Sequence, residues 1–230
     1  INTYICNGLE EMDMPITTII FDLDGTLMNT LDDLCDSVNY VLDIKGYPKR
    51  SIIEIRNFVG NGIEVLIKRA VPANTSESDV RTCLEMFQEY YSKNMQNKTA
   101  PYEGIYELLA KLNTDGFKLA IVSNKYDLAV KKLNEQYFSA YIKVAVGEGN
   151  GLKPKPEPDL VYKALSDLES TIEESIYVGD SDVDVLTAKN SHLPCIGVTW
   201  GFRDRDLLAR MGADYIVDDT TKLYEIISDL

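Results

Sequence analysis

From residue 98 onward the chain alternates short β-rich apolar runs with amphipathic helical stretches, and few architectures accept that alternation. Helix Ile105 to Leu112 leads through Gly116 to strand Phe117 to Val122. Helix Leu128 to Gln136 leads to strand Ile142 to Val146. The stripe Leu160, Val161, Ala164, Leu165 and Leu168 precedes strand Ser175 to Val178. Helix Val183 to Asn190, strand Cys195 to Val198, helix Arg205 to Met211, strand Tyr215 to Val217 and helix Leu223 to Asp229 complete the series. Strands joined through helices pair in parallel, because the crossover returns each strand in the same direction. The expected class is therefore α/β, a doubly wound, Rossmann-like parallel sheet.

One further strand stands far upstream. Ile16 to Phe21 is apolar and β-rich, suited to burial on both faces of a parallel sheet. The stretch between this strand and residue 98 is largely helical. Leu31, Leu34, Cys35, Val38 and Leu42 repeat at spacings of three and four. Gly46-Tyr47-Pro48 interrupts. Next come Ser51 to Phe58, the turn Gly60-Asn61-Gly62, Ile63 to Ala70 and the long stripe Val80, Cys83, Leu84, Phe87, Tyr90 and Tyr91. Residues 15–29 and 98–230 are thus expected to form the α/β core. Residues 30–97 form an inserted α-helical unit, and residues 1–14 a disordered leader.

Charge and cysteine content exclude several functions. The formal net charge is −14, which disfavours nucleic acid, since binding it requires a basic surface. A small anionic substrate would be repelled at long range, so local cations must reverse the field where it binds. There is no apolar run of membrane-spanning length, and residues 1–14 lack the pattern of a signal peptide. The four cysteines form no CxxC pair, which argues against a zinc cluster or disulfide framework and fits a cytoplasmic protein. Cys35 and Cys83 are expected to be buried thiols. The single histidine, His192, rules out HExxH-type metal sites. Trp200, Phe202 and the tyrosines are read as core, and the sequence sets no oligomeric state.

In a doubly wound sheet, ligands bind beyond the carboxyl ends of the strands. The first strand ends in Asp22-Leu23-Asp24-Gly25-Thr26. Asp22 and Asp24 project to one side of an extended segment and Leu23 to the other. Two such carboxylates repel, and a cation between them relieves the repulsion. All-oxygen ligands favour Mg²⁺, which often bridges to a substrate phosphate. The second strand ends in Ser123 and Asn124; the fourth ends in Gly179-Asp180-Ser181-Asp182-Val183-Asp184. After the third comes Lys153-Pro154-Lys155-Pro156-Glu157-Pro158, where alternating prolines fix the direction of a lysine, read as Lys153. Each patch alone has a plainer explanation: an Asp-Gly turn, a helix-dipole aspartate or a proline-rich surface loop. Four patches at four strand ends are harder to explain that way.

Together these residues resemble the haloacid dehalogenase superfamily. Phe21-Asp22-Leu23-Asp24-Gly25-Thr26-Leu27 resembles its DxDGT motif, Ile121-Val122-Ser123-Asn124 its second motif, Lys153 its lysine, and Gly179 to Asp184 its GDSxxD motif. The resemblance covers nearly everything after Met14, with residues 30–97 as the family's helical cap. It implies a Mg²⁺-dependent phosphatase acting through an aspartyl-phosphate. Asp22 would be the nucleophile and Asp24 the acid, then base. The Asp22 and Asp180 side chains and the Asp24 carbonyl would hold Mg²⁺, with Asp184 supporting the metal and the lysine. Ser123, the Asn124 backbone and Thr26 would meet the substrate, and Lys153 would neutralise charge on Asp22 and the phosphate.

Within the superfamily the chain most resembles phosphoglycolate phosphatases. Gly60, Asn61 and Gly62 could present backbone N–H groups to a substrate carboxylate at a helix N-terminus, although turn glycines are common. The expected partner is a small phosphorylated metabolite. Alternatives are a β-phosphoglucomutase-like mutase, a pyrophosphatase or a 5′-nucleotidase. From a different class comes a non-catalytic phospho-receiver, although receivers are shorter and lack a helical insert.

Overall fold

The computed structural model describes residues 15–230; the expected leader, 1–14, lies outside them. The chain opens with β1 (Thr18–Phe21) and β2 (Met28–Asn29), then runs through α1 (Leu31–Ile44), α2 (Ile52–Phe58), α3 (Gly62–Ala70) and α4 (Glu77–Asn94). It returns through β3 (Ala100–Pro101) to α5 (Ile105–Thr114), β4 (Lys118–Tyr126), α6 (Asp127–Leu133) and β5 (Val144–Glu148). The series closes with α7 (Asp159–Leu168), β6 (Ser175–Gly179), α8 (Asp182–Asn190), β7 (Cys195–Val198), α9 (Arg205–Met211), β8 (Tyr215–Val217) and α10 (Thr220–Asp229). Among the described residues no helix is long and apolar enough to cross a membrane.

Six strands form one parallel sheet in the order β5-β4-β1-β6-β7-β8. The strand order reverses around β1, and that switch point is where a doubly wound sheet opens a crevice. Register fixes what lines the crevice. Phe21 pairs with Ile121 on one side and Val178 on the other. The segments after these residues therefore emerge level with one another, bringing Asp22, Ser123 and Asp180 to one edge.

Side chains alternate across the sheet, as extended backbone requires. Ile19, Phe21, Ile121, Ile176 and Val178 pack on the face covered by α5, α6 and α10. Ile20, Ala120, Val122 and Tyr177 pack on the face covered by α7, α8 and α9. Full burial of each large apolar side chain contributes roughly 2 kcal/mol. Cys83 and Cys195 are buried free thiols, whereas Cys35 is only half-buried.

Two of the four helices between β2 and β3 start from local capping signals. Ser51 and Glu54 form a capping box at α2, which therefore begins at Ile52 with Ser51 as its cap. The Ser76 hydroxyl accepts from Asp79 N–H at the start of α4. The apolar face of these helices (Leu34, Val38, Ile55, Leu66, Phe87) joins the same cluster as the β1 residues Ile19 and Phe21. The two crossings pair with each other: Met28 with Pro101 and Asn29 with Ala100, antiparallel. The buried Asp33 carboxylate reinforces the crossing by accepting from Lys98 N–H at 3.0 Å and Thr99 N–H at 2.9 Å.

Candidate active site

Asp22, one residue past β1, is 6% exposed and faces a cavity, whereas Leu23 is fully buried in the apolar cluster. Gly25 then turns with φ +95°, and a Cβ there would overlap the Asp180 carboxylate. Only glycine lets the backbone pass so close to that side chain.

Lys155, not Lys153, is the lysine that reaches Asp22. Its Nζ donates to Asp22 Oδ1 at 2.8 Å and to Asp184 Oδ1 at 2.7 Å. Lys153 is exposed, and its backbone N–H donates to Asp159. The reason lies in Asn124, whose side chain grips the Lys155 backbone from both sides. Lys155 N–H donates to Asn124 Oδ1 at 2.7 Å, and Asn124 Nδ2 donates to the Lys155 carbonyl at 2.9 Å. Both lysines lie in the same proline repeat, and only the end of β4 distinguishes them. Burial opposes the Lys155 charge, but Asp184 and Asp22 more than offset it and hold its pKa well above the ordinary lysine range.

Asp180 and Asp184 divide their work differently from two residues in one helical turn. Asp180 precedes α8, Ser181 caps it, and Asp184 sits at its third position in a capping box. Asp184 Oδ2 accepts from Asp180 N–H, Ser181 N–H and the Ser181 hydroxyl. Its Oδ1 accepts from Lys155 Nζ and from Tyr177 OH at 3.1 Å. Both oxygens are fully engaged, so the helix-start reading and the support of Lys155 hold together. Asp180 accepts one bond on each oxygen, from Thr26 Oγ1 at 3.0 Å and from Phe202 N–H at 2.7 Å.

One carboxylate oxygen from each of Asp22, Asp180 and Asp184 lies within 4.8 Å of the others. Burial, then Asp184, pushes the Asp22 pKa well above the carboxylate range against the pull of Lys155. Burial and Asp184 raise Asp180 to about 7. Fully ionised, such a set would hold more negative charge than Lys155 balances, and hard oxygen donors with spare lone pairs on Asp22 and Asp180 fit Mg²⁺. Asp184, with its oxygens already used, fits a supporting role.

Lys125 went unread in the sequence. It comes directly after Ser123-Asn124 on β4 and is 8% exposed. Its Nζ donates to Asp24 Oδ1 and to Tyr91 OH of α4, both at 2.9 Å. Burial works against its charge, but Asp24 and then Tyr91 keep its pKa above the ordinary range. Its position one residue past the second patch was the available signal.

A cavity of about 60 Å³ opens between these groups and the helices. Asp22, Asp24, Gly60, Gly62, Ser123, Asn124, Lys125 and Lys155 line it. Two expected substrate residues stand apart. Thr26 is buried against Asp180 rather than facing the cavity, and Asn61 does not line it. Gly60 enters through its carbonyl, which accepts from Asn124 Nδ2 at 3.2 Å.

Known proteins are similar to this chain over most of its length. Residues 19–198 match the family model described as haloacid dehalogenase-like hydrolase. The phosphoglycolate phosphatase of Vibrio parahaemolyticus is 31% identical over 220 residues, covering 93% of this chain and 96% of its own. The pyrophosphatase PpaX of Listeria welshimeri is 31% identical, covering 93% and 97%. A solved structure from Lactobacillus delbrueckii subsp. bulgaricus, provisionally named a phosphoglycolate phosphatase, has a TM-score of 0.89 at 35% identity, covering 93% and 99%. With its sheet order, its clustered aspartates and a match spanning most of its length, the chain belongs to the haloacid dehalogenase-like hydrolase family.

Proposed function

We propose that the protein is a phosphatase that hydrolyses a small phosphate monoester through an aspartyl-phosphate on Asp22, with a phosphoglycolate-like substrate. The observation behind this reading is the convergence of Asp22, Asp24 and Lys155 on one cavity, with Asp180 grouped beside Asp22. Residues 30–97 act as the cap over it.

Asp22 Oδ2 attacks phosphorus in line with the leaving oxygen, and the P–O bond to the leaving group breaks. Lys155 offsets the charge of Asp22 and of the phosphoryl group it meets. Asp22, Asp180 and the Asp24 carbonyl would hold Mg²⁺, which supplies the positive charge that lets a carboxylate approach an anion. Ser123 Oγ and the backbone at Asn124 meet the phosphoryl oxygens. Asp24 gives a proton to the leaving oxygen, then takes one from the water that cleaves the aspartyl-phosphate.

Lys125 and the start of α3 favour an acidic leaving group. Both line the cavity, one as a cation and the other as the positive end of a helix. Glycolate fits that environment, and so does a second phosphate, which keeps a pyrophosphatase as the second reading. The test is phosphate release from an aryl phosphate, 2-phosphoglycolate, pyrophosphate and nucleoside monophosphates, with Mg²⁺ or EDTA. Phosphate release persisting in Asp22→Asn would reject the nucleophile, and a preference for neutral leaving groups would reject the substrate class.

A further inference from the structure

The segment after β7, from Thr199 to Arg203, touches Asp180 with one part and the helical insert with another. Phe202 N–H donates to Asp180 Oδ2 at 2.7 Å. Trp200 Nε1 donates to the Thr26 carbonyl at 3.0 Å, and the Thr26 hydroxyl donates to Asp180 Oδ1 at 3.0 Å. The segment therefore sets both oxygens of Asp180, one directly and one through Thr26. Gly201 passes so close that a Cβ would overlap both the Asp180 side chain and the Gly25 carbonyl.

The next residue reaches across to the insert. Arg203 Nε pairs with Asp182 Oδ1 at 3.0 Å, while Nη1 donates to the Arg56 carbonyl and Nη2 to the Val59 carbonyl, both at 2.8 Å. These carbonyls belong to the C-terminal end of α2, where orphan acceptors and the helix dipole favour a cation. Arg56 answers in the other direction, its Nη2 donating to the Gly201 carbonyl at 2.8 Å. Each arginine thus bonds the backbone of the other's segment.

We infer that Arg203 and Arg56 form a reciprocal clasp that couples seating of the helical insert to the orientation of Asp180. Cation binding at Asp22 and Asp180 and docking of the insert then strengthen each other, since coupling between two sites is reciprocal. Arg203 is a positioning residue, acting through the Phe202 N–H. Its planar fork makes three bonds in fixed directions, which the point charge of a lysine does not reproduce. The inference rests on the reading of Asp180 as a metal ligand.

Calorimetric titration of the whole chain with MgCl₂ tests it. Arg203→Ala, Arg203→Lys and Arg56→Ala are each expected to weaken Mg²⁺ binding by about tenfold, within the usual span of coupling between sites. Arg205→Ala, which removes an exposed pair with Asp218, is expected to leave it unchanged. In hydrogen exchange, Mg²⁺ slows the amides of residues 56–63 in the unaltered protein and not in Arg203→Lys. If Arg203→Ala fails to fold, Arg203→Lys and Arg56→Ala decide the matter. Unaltered Mg²⁺ affinity in those two variants overturns the clasp and leaves the metal reading standing. No Mg²⁺ binding by the unaltered protein overturns both.

Discussion

Lys155 Nζ lies between two carboxylates, 2.8 Å from Asp22 Oδ1 and 2.7 Å from Asp184 Oδ1. Both oxygens of Asp184 are occupied by hydrogen bonds, so of the two carboxylates only Asp22 keeps an oxygen to spare. Lys155→Met should therefore lower kcat/KM by about 10²–10³-fold, the usual effect of losing one preorganised charge at a reacting centre. Lys153→Met, altering an exposed side chain two residues away, should leave steady-state phosphate release as it is. Equal losses in the two variants would contradict the assignment.

Lys125 should matter most when the leaving group is an anion. Lys125→Met is expected to reduce kcat/KM for 2-phosphoglycolate about tenfold more than for an aryl phosphate, in keeping with one charged hydrogen bond. The comparison cancels any general damage to Asp24. The same loss on both substrates would show that Lys125 serves Asp24 alone.

The clustered acids make stability depend on pH in an unusual direction. Asp22 and Asp180 have folded-state pKa values above the ordinary 3.8, with Asp180 at about 7. Protonated in the fold, they favour the folded state fully below the unfolded value. That contribution is lost as pH rises through the folded values. In EDTA, the melting temperature should fall between about pH 5 and about pH 8, and Mg²⁺ should remove much of the slope. Asp180→Asn should flatten the EDTA curve. A melting temperature that rises over this range in EDTA would refute the expectation.

Asp33 ties α1 to the returning strand. Asp33→Ala leaves the Lys98 and Thr99 N–H groups without their acceptor, at a cost of about 1–3 kcal/mol for buried donors left unpaired. Denaturant unfolding measures this. Asp33→Asn, which retains one acceptor oxygen, should lose less.

Most of the architecture could be read from hydrophobic periodicity, because a parallel sheet leaves a strong record. Ile19 to Phe21 and Ile176 to Val178 are buried on both faces and appear as unbroken apolar runs. The two-residue strands β2 and β3 left no such record; their pairing depends on where the insert leaves and rejoins. Asp22, Asp24, Ser123 and Asp180 stood out as candidates because each lies within three residues of a strand's carboxyl end. Lys155 was not, since choosing between two lysines in Lys-Pro-Lys-Pro requires the Asn124 side chain, 31 residues distant in sequence. The partner of Thr26 was hidden for a similar reason: its hydroxyl turns to Asp180, 154 residues away.

Met28 and Asn29 run beside Pro101 and Ala100, so the insert leaves and re-enters the core at adjacent points. The sheet therefore places no demand on the length or shape of the chain between them. The excursion can thus be replaced during descent while strand register keeps the strand-end residues in place. The bonds between core and insert qualify this, since any replacement excursion must again offer carbonyls to Arg203 and Asn124 and a hydroxyl to Lys125.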